Sequence, residues 1–255
     1  MNNISATIIT HNEERNLERC LNSLLGLADE IIVVDSYSSD STLSICRRYG
    51  CKVTQRKFAG YGSQRQYACS LATNRYILSL DADEVLSEDL REAILRLKEE
   101  GFAHRMYKVE VINYICGRPM KHSGWNPNMQ VRLFDSRFAT WDLRDVGERL
   151  TYSESVLPDK LPGCIHHYRC SDYVELGYKE KRNAEIRGHV LASAGETIGP
   201  LSPYFRALGA FLKCHIADAA ILDGKMGHTI ACTRFRSELR SFRIARKLLK
   251  ARHQQ

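Results

Sequence analysis

Residues 75–90, RYILSLDADEVLSEDL, decide the fold. The run Tyr76 to Leu80 is short, apolar and rich in strand formers, as expected of a strand buried on both faces. It enters the acidic turn Asp81-Ala82-Asp83-Glu84 directly. Ser87 followed by Glu88 and Asp89 then has the form of a helix N-terminus, with Leu90, Ile94 and Leu97 at inward-facing spacing through Glu100. The stretch is therefore one βα unit with its acids at the carboxyl end of the strand.

The same unit recurs upstream. Ala6 to Thr10 is a β-branched run, and Asn12, Glu13 and Glu14 suit the start of a helix carrying Leu17, Cys20, Leu21 and Leu24. Glu30 to Asp35 is a second buried strand, after which Ser39 or Asp40 can cap a helix bearing Leu43, Cys46 and Tyr49. Lys52 to Gln55 is a third strand, and the loop Gly60-Tyr61-Gly62 leads to a helix over Ser63 to Ala72. Repeated βα units of this length predict an α/β fold with a mostly parallel sheet flanked by helices and ligands at the carboxyl ends of the strands. Thr10-His11-Asn12, Asp35-Ser36 and Asp81-Ala82-Asp83 each fall at such an end. Beyond residue 104 the pattern changes to longer alternating strands, Met106 to Ile115 and Gln130 to Phe134, and from about Asp172 it is helical. The expected division is an α/β domain over 1–170 and a helical C-terminal region over 171–255.

Composition bounds the function. A chain of 255 residues with 44% apolar and 26% charged residues buries one substantial core without disulfides. The nine cysteines are scattered singly with no CxxC pair, which argues against a zinc ribbon or disulfide framework and for reduced thiols in the cytoplasm. The N-terminus has neither the basic start nor the apolar core of a signal peptide. The longest apolar region, Tyr204 to Leu222, is interrupted by Arg206, Lys213, His215 and Asp218 and makes a poor membrane span. The net charge of +7 concentrates in the last two dozen residues, where only Glu238 opposes a row of arginines and lysines. Such a tail favours an anionic partner.

Two aspartates one residue apart at a strand end suit a hydrated Mg²⁺ or Mn²⁺ held against a diphosphate, whose departing charge a divalent cation neutralises. The alternative is an acidic turn capping the helix at Ser87. Asp35 can accept hydrogen bonds from a base or ribose, or be satisfied by nearby backbone N–H groups. Arg65 can reach a phosphate, although a lone helical arginine is more often a solvated surface charge.

Together IITHNEERNLERCLNSL (8–24), EIIVVDSYSSDST (30–42) and RYILSLDADEVLSEDL (75–90) resemble the successive signatures of glycosyltransferase family 2. The likeness is greatest to its lipopolysaccharide core glucosyltransferase branch, with further matches at Val146-Gly147-Glu148, His167-Tyr168 and Asp223-Gly224 with Gly227. The resemblance implies a GT-A fold and an inverting single displacement from a nucleotide-sugar donor, such as a UDP-hexose, to a glycan or glycolipid acceptor. It places Thr10 and Asp35 at the nucleotide, Asp83 at the metal and Asp81 at the ribose or phosphate. Asn12, Glu13, Ser36, Arg65 and Ala82 join them on the donor side. Glu148 is the expected general base and Asp145 its reserve; the branch has Val-His before this acid where this chain has Gly147.

His166 and His167 can contact metal or phosphate, His167 being the expected ligand, though paired histidines near a strand end are more often structural. Trp125 and Trp141 can stack on sugar faces or pack in the core. The last helix places Phe235, Leu239, Phe242 and Leu249 on one side and Arg236, Arg240, Arg243, Lys247 and Lys250 on an adjoining one. Such a helix can lie on an anionic leaflet, giving a peripheral association with the inner face of the cytoplasmic membrane, or pack on the domain with its basic face in water. A sugar-phosphate nucleotidyltransferase also pairs an α/β domain with acids, but usually carries a Gly-rich basic loop where this chain has His11-Asn12-Glu13-Glu14. A nucleic-acid-binding protein is the other alternative; without a zinc finger or aromatic-basic sheet motif, no nucleic-acid partner is expected.

Overall fold

The computed structural model describes residues 2–125, 128–144, 147–194 and 199–252. The chain divides into two units, Met1–Ile112 with Asn128–Tyr168, and Asn113–Pro127 with Arg169–Gln255.

The first unit opens with β1 (Ile4–Thr10), α1 (Leu17–Leu24), β2 (Glu30–Asp35), α2 (Thr42–Arg48), β3 (Lys52–Gln55), α3 (Tyr61–Ser70) and β4 (Tyr76–Asp81). These are the βα units the periodicity predicts. β5 (Glu84–Leu86) and α4 (Glu88–Glu100) follow, with Ser87 as N-cap, its hydroxyl accepting from the Leu90 amide at 3.3 Å. The long strand β6 (Met106–Ile115) runs to β7 (Arg118–Pro119), and β8 (Met129–Asp135), β9 (Ala139–Trp141), β10 (Leu150–Tyr152) and β11 (Asp159–Cys170) complete the strands.

Among the described residues the main sheet is ordered β3-β2-β1-β4-β8-β6-β11-β5, with β7 beside β6, and β9 pairs with β10 separately. β3-β2-β1-β4 is parallel, whereas β4–β8, β6–β8 and β5–β11 are antiparallel. The sheet is thus mixed, which corrects the expectation of a mostly parallel one. The physical reason is connectivity. Among the described residues the strands from β6 to β11 follow one another without an intervening helix, and a parallel neighbour requires a crossover of a dozen residues or more.

β1 is buried almost throughout, because α1 and α4 cover one face of the sheet with Leu17, Leu21, Leu24, Leu90 and Ile94 against Ile4, Ile8, Leu78 and Leu80, and α3 covers the other, where Thr7 meets Cys69. Each such side chain contributes about 1.5–3 kcal/mol of burial free energy. Three local starts differ from the sequence reading. α2 begins at Thr42 with Ser41 rather than Ser39 or Asp40 in the N-cap position, because Asp40 instead sits two residues before Thr42 and accepts from its amide at 3.0 Å. α1 begins at Leu17 rather than near Asn12, because Asn12 has φ of 55° and the segment before Leu17 is a loop. α3 begins at Tyr61 and includes Gly62, whose missing side chain lets the helix abut the 142–144 backbone: a Cβ there would sit 1.9 Å from the Asp142 carbonyl oxygen.

The second unit holds β7 together with the helices α5 (Tyr173–Ser193), α6 (Ser202–Leu212), a π-helical turn (Lys213–Ala217), a 3₁₀ turn (Ala220–Asp223) and α7 (Gly224–Arg252). Asp172 caps α5 by accepting from the amides of Val174 and Glu175, both at 2.8 Å. α5 and α6 both pack on α7. Phe242 of α7 is buried in this packing, whereas Arg236, Arg240, Arg243, Lys247 and Lys250 are exposed. The Asp223-Gly224 and Gly227 signature acts here. Asp223 accepts from the Ser123 hydroxyl and the His122 amide, and a Cβ on Gly227 would lie 1.8 Å from the Ala220 carbonyl oxygen. No described helix is long and apolar enough to cross a membrane.

Candidate functional site

Strand register aligns the candidate site. Thr10 pairs with Asp35 across β1 and β2, and Ile9 with Asp81 across β1 and β4, so Thr10, Asp35 and Asp81 share the carboxyl end of the parallel strands. Thr10 is buried and its hydroxyl has no hydrogen-bond partner. Asp35 is fully buried and accepts from the Ser38 amide at 3.0 Å, the Ser38 hydroxyl and the Gln55 amide side chain at 2.9 Å. Local donors satisfy it.

The loops after β1 and β2 are laced together. The Asn12 amide donates to the Ser38 hydroxyl, the Asn12 side-chain oxygen accepts from the Ser39 amide, and the Glu13 amide donates to the Thr42 hydroxyl. The Ser36 hydroxyl accepts from Gln64 of α3 at 3.0 Å. Asn12, Glu13 and Ser36 therefore fix the rim of the sheet end. Ala82 is buried in the main core, so only its backbone faces the acidic turn.

Arg65 is buried, not a solvated surface charge. Its Nη2 donates to both Asp81 oxygens at 2.6 Å, its Nε to Glu148 Oε1 at 3.1 Å, and its guanidinium lies 4.9 Å over the Trp141 ring. Burial alone would depress the Arg65 pKa, but Asp81 and Glu148 together raise it above the ordinary arginine value. Burial likewise works to raise the Asp81 pKa, yet Arg65 and then Arg132 hold it below the usual carboxylate value. One guanidinium thus ties an acid of the β4 turn to an acid distant in sequence.

Asp83 lies on the other side of Asp81. His167 Nε2 is 3.2 Å from Asp83 Oδ1, and ligand atoms of Asp81, Asp83 and His167 all lie within 4.8 Å of one another. The antiparallel pairing of β11 with β5 puts His167 opposite Glu84, with Nδ1 3.5 Å from Glu84 Oε1. Glu84 is fully buried, accepts from Arg132 and from the Asp81 amide at 2.9 Å, and its pKa is raised because burial outweighs the attraction of Arg132. A carboxylate behind a ligand histidine fixes the ring, as outer partners in metal sites do. Two hard carboxylates and an imidazole fit a Mn²⁺- or Mg²⁺-type ion. Although Asp81 is engaged with Arg65, each carboxylate oxygen carries a second lone pair.

The structure therefore brings together Asp81, Asp83, His167, Arg65 and Glu148. It does not bring in His166, which is next to His167 on β11 and so points to the opposite face, beside Cys164, with its pKa lowered by burial. Asp145 lies outside the described residues. Trp141 is beneath Arg65, whereas Trp125 belongs to the second unit, against Arg169 and Arg234. Glu84 and Arg132 were missed by the sequence reading. The one available signal was the arginine at position 132, set between the apolar Val131 and Leu133.

The profile of glycosyl transferase family 2 matches residues 5–156. An uncharacterized glycosyltransferase of Rickettsia prowazekii is 32% identical over 225 residues, covering 84% of this chain and 76% of that protein. An uncharacterized glycosyltransferase of Rickettsia typhi is 33% identical over 143 residues, 55% of this chain and 49% of that one, so the chain spans about half the length of several curated relatives it matches. The lipopolysaccharide core biosynthesis glycosyltransferase LpsC of Rhizobium meliloti is 25% identical over 198 residues, 76% of this chain and 73% of that protein.

Proposed function

The chain belongs to glycosyl transferase family 2, and on that footing we propose that it is an inverting GT-A glycosyltransferase moving a hexose from a UDP-sugar to a cell-surface glycan such as lipopolysaccharide core. The observation that carries the reading is the bridge of Arg65 between Asp81 and Glu148, beside the Asp83–His167 pair at the end of the parallel strands. The strand order β3-β2-β1-β4 ending on the acidic turn supports the GT-A assignment. The role of LpsC in lipopolysaccharide core biosynthesis supports the acceptor class.

Asp83 and His167, with Asp81 beside them, hold the divalent ion, which when bound neutralises the diphosphate. Thr10 receives the nucleotide through its unpartnered hydroxyl, Asp35 anchors the loop after β2 beside it through Ser38, and Asn12, Glu13 and Ser36 shape the rim. Glu148 accepts the proton of the acceptor hydroxyl while that oxygen forms a bond to the anomeric carbon and the bond to the diphosphate breaks on the opposite face. Arg65 positions Glu148 and keeps its charge compatible with the neighbouring acids. The exposed basic row of α7 supports adsorption at the anionic inner face of the cytoplasmic membrane, where a lipid-linked acceptor resides.

Glu148→Gln is expected to leave nucleotide and metal affinity near wild type and to lower turnover by about 10²–10⁴-fold, read as UDP release with lipopolysaccharide core as acceptor. Turnover at the wild-type level would place the base elsewhere.

A further inference from the structure

α6 is inside out for a helix of a water-soluble unit. Its small residues Pro203 and Ala207, with Cys214 of the π turn, are buried on the side that packs on α7. Its large apolar residues face outward: Phe205 is 70% exposed, Leu208 47%, Leu212 44% and Ile216 of the π turn 71%. Their spacing keeps them on one face, and Ile221 (64%) and Leu222 (69%) of the 3₁₀ turn extend the exposed apolar surface. A contiguous apolar patch of this kind marks an interaction surface rather than ordinary scatter.

We propose that α6 and the two turns after it insert into the interfacial layer of an anionic lipid membrane. This deepens the membrane part of the proposed function and rests on it, but does not rest on the transfer chemistry. The occupant follows from the charge around the stripe. Arg206, Lys213 and Lys225 are exposed beside it, while the single acid between residues 199 and 222, Asp218, is engaged by Arg234 Nη1 at 3.1 Å. An open cleft of about 570 Å³ at the edge of the stripe is lined by His215, Lys225 and His228 together with Ile221, an apolar wall meeting basic side chains. Anionic headgroups over acyl chains match both parts. A second copy of the chain docked isologously would set these cations against themselves. The 11 residues of α6 are too short to span a bilayer, so the helix lies in the plane of the interface with its apolar face down. α7 then attracts the chain to the surface by charge, and α6 anchors it by burial.

The test is flotation with vesicles of phosphatidylcholine and phosphatidylglycerol in equal parts. A Phe205→Ser/Ile216→Ser double variant, changed at two exposed sites, is expected to keep the wild-type melting temperature and lose about tenfold or more in vesicle partitioning. In Phe205→Trp, the added fluorescence is expected to shift to the blue and to be quenched by lipids brominated on their acyl chains. Unchanged partitioning of the double variant, or an unquenched Trp, overturns the insertion. So does loss of self-association with vesicle binding intact, which assigns the stripe to a second copy. An Arg240→Glu/Arg243→Glu variant separates the two readings. If it alone abolishes flotation, adsorption through α7 stands and insertion of α6 fails; if the wild type does not float, both fail.

Discussion

At the residue scale the site turns on one guanidinium. Arg65 neutralises two acids, Asp81 at 2.6 Å and Glu148 at 3.1 Å, in a setting where neither acid can be buried cheaply without it. Removing one member of such a pair is costly because the remaining charge is stranded. Arg65→Met is therefore expected to destabilise the protein by about 3–5 kcal/mol in chemical denaturation without added metal, far more than an exposed arginine would. A change within a few tenths of a kcal/mol would mean that Arg65 is not the counter-charge. Asp81, Asp83 and Glu148 were legible as candidate acids because strand ends and family-like motifs mark them. That Arg65 ties two of them was not, because Glu148 lies 83 residues further along the chain and helical periodicity carries no information about so distant a partner. The same limit hid Glu84 and Arg132, whose ion pair joins β5 to β8 across 48 residues.

At the element scale the parallel strands are pinned at their other end by Glu30. This acid at the start of β2 accepts from Ser5 of β1, from Lys52 of β3 at 2.7 Å, and from the amide and hydroxyl of Thr73 just before β4. Burial alone would raise its pKa; these donors instead bring it from an ordinary 4.5 down to about 2. Because the folded-state value lies below the unfolded one, the stabilisation is fully present above about pH 4.5 and is lost as pH falls toward about 2. The shift corresponds to about 3 kcal/mol. Glu30→Gln is expected to be less stable than wild type at neutral pH and to converge with it near pH 2, followed by urea denaturation across that range. Parallel loss at all pH values would assign Glu30 a packing role only. The βα elements and the Ser87 cap were readable because each is set by local periodicity and side-chain chemistry. The antiparallel half was not: β11 meets β5 about eighty residues after it, and that pairing, rather than any local pattern, carries His167 to Asp83 and Glu84.

At the scale of the whole molecule, one unit carries the parallel strands that end on acids, and the other carries the helices with an exposed basic row. The central claim concerns the first: Asp83 and His167 hold a divalent ion that couples nucleotide binding to the sheet end. A ligand that binds only the folded state raises its stability by about 2.7 kcal/mol at a hundredfold excess over Kd. The most direct measurement is therefore thermal unfolding with UDP, with and without Mn²⁺, for the wild type and Asp83→Ala. The wild type is expected to gain several degrees only when UDP and Mn²⁺ are both present, and the variant to gain nothing beyond its response to UDP alone. Equal metal-dependent gains in both proteins, or no gain in the wild type with UDP or any other nucleoside diphosphate, would contradict it.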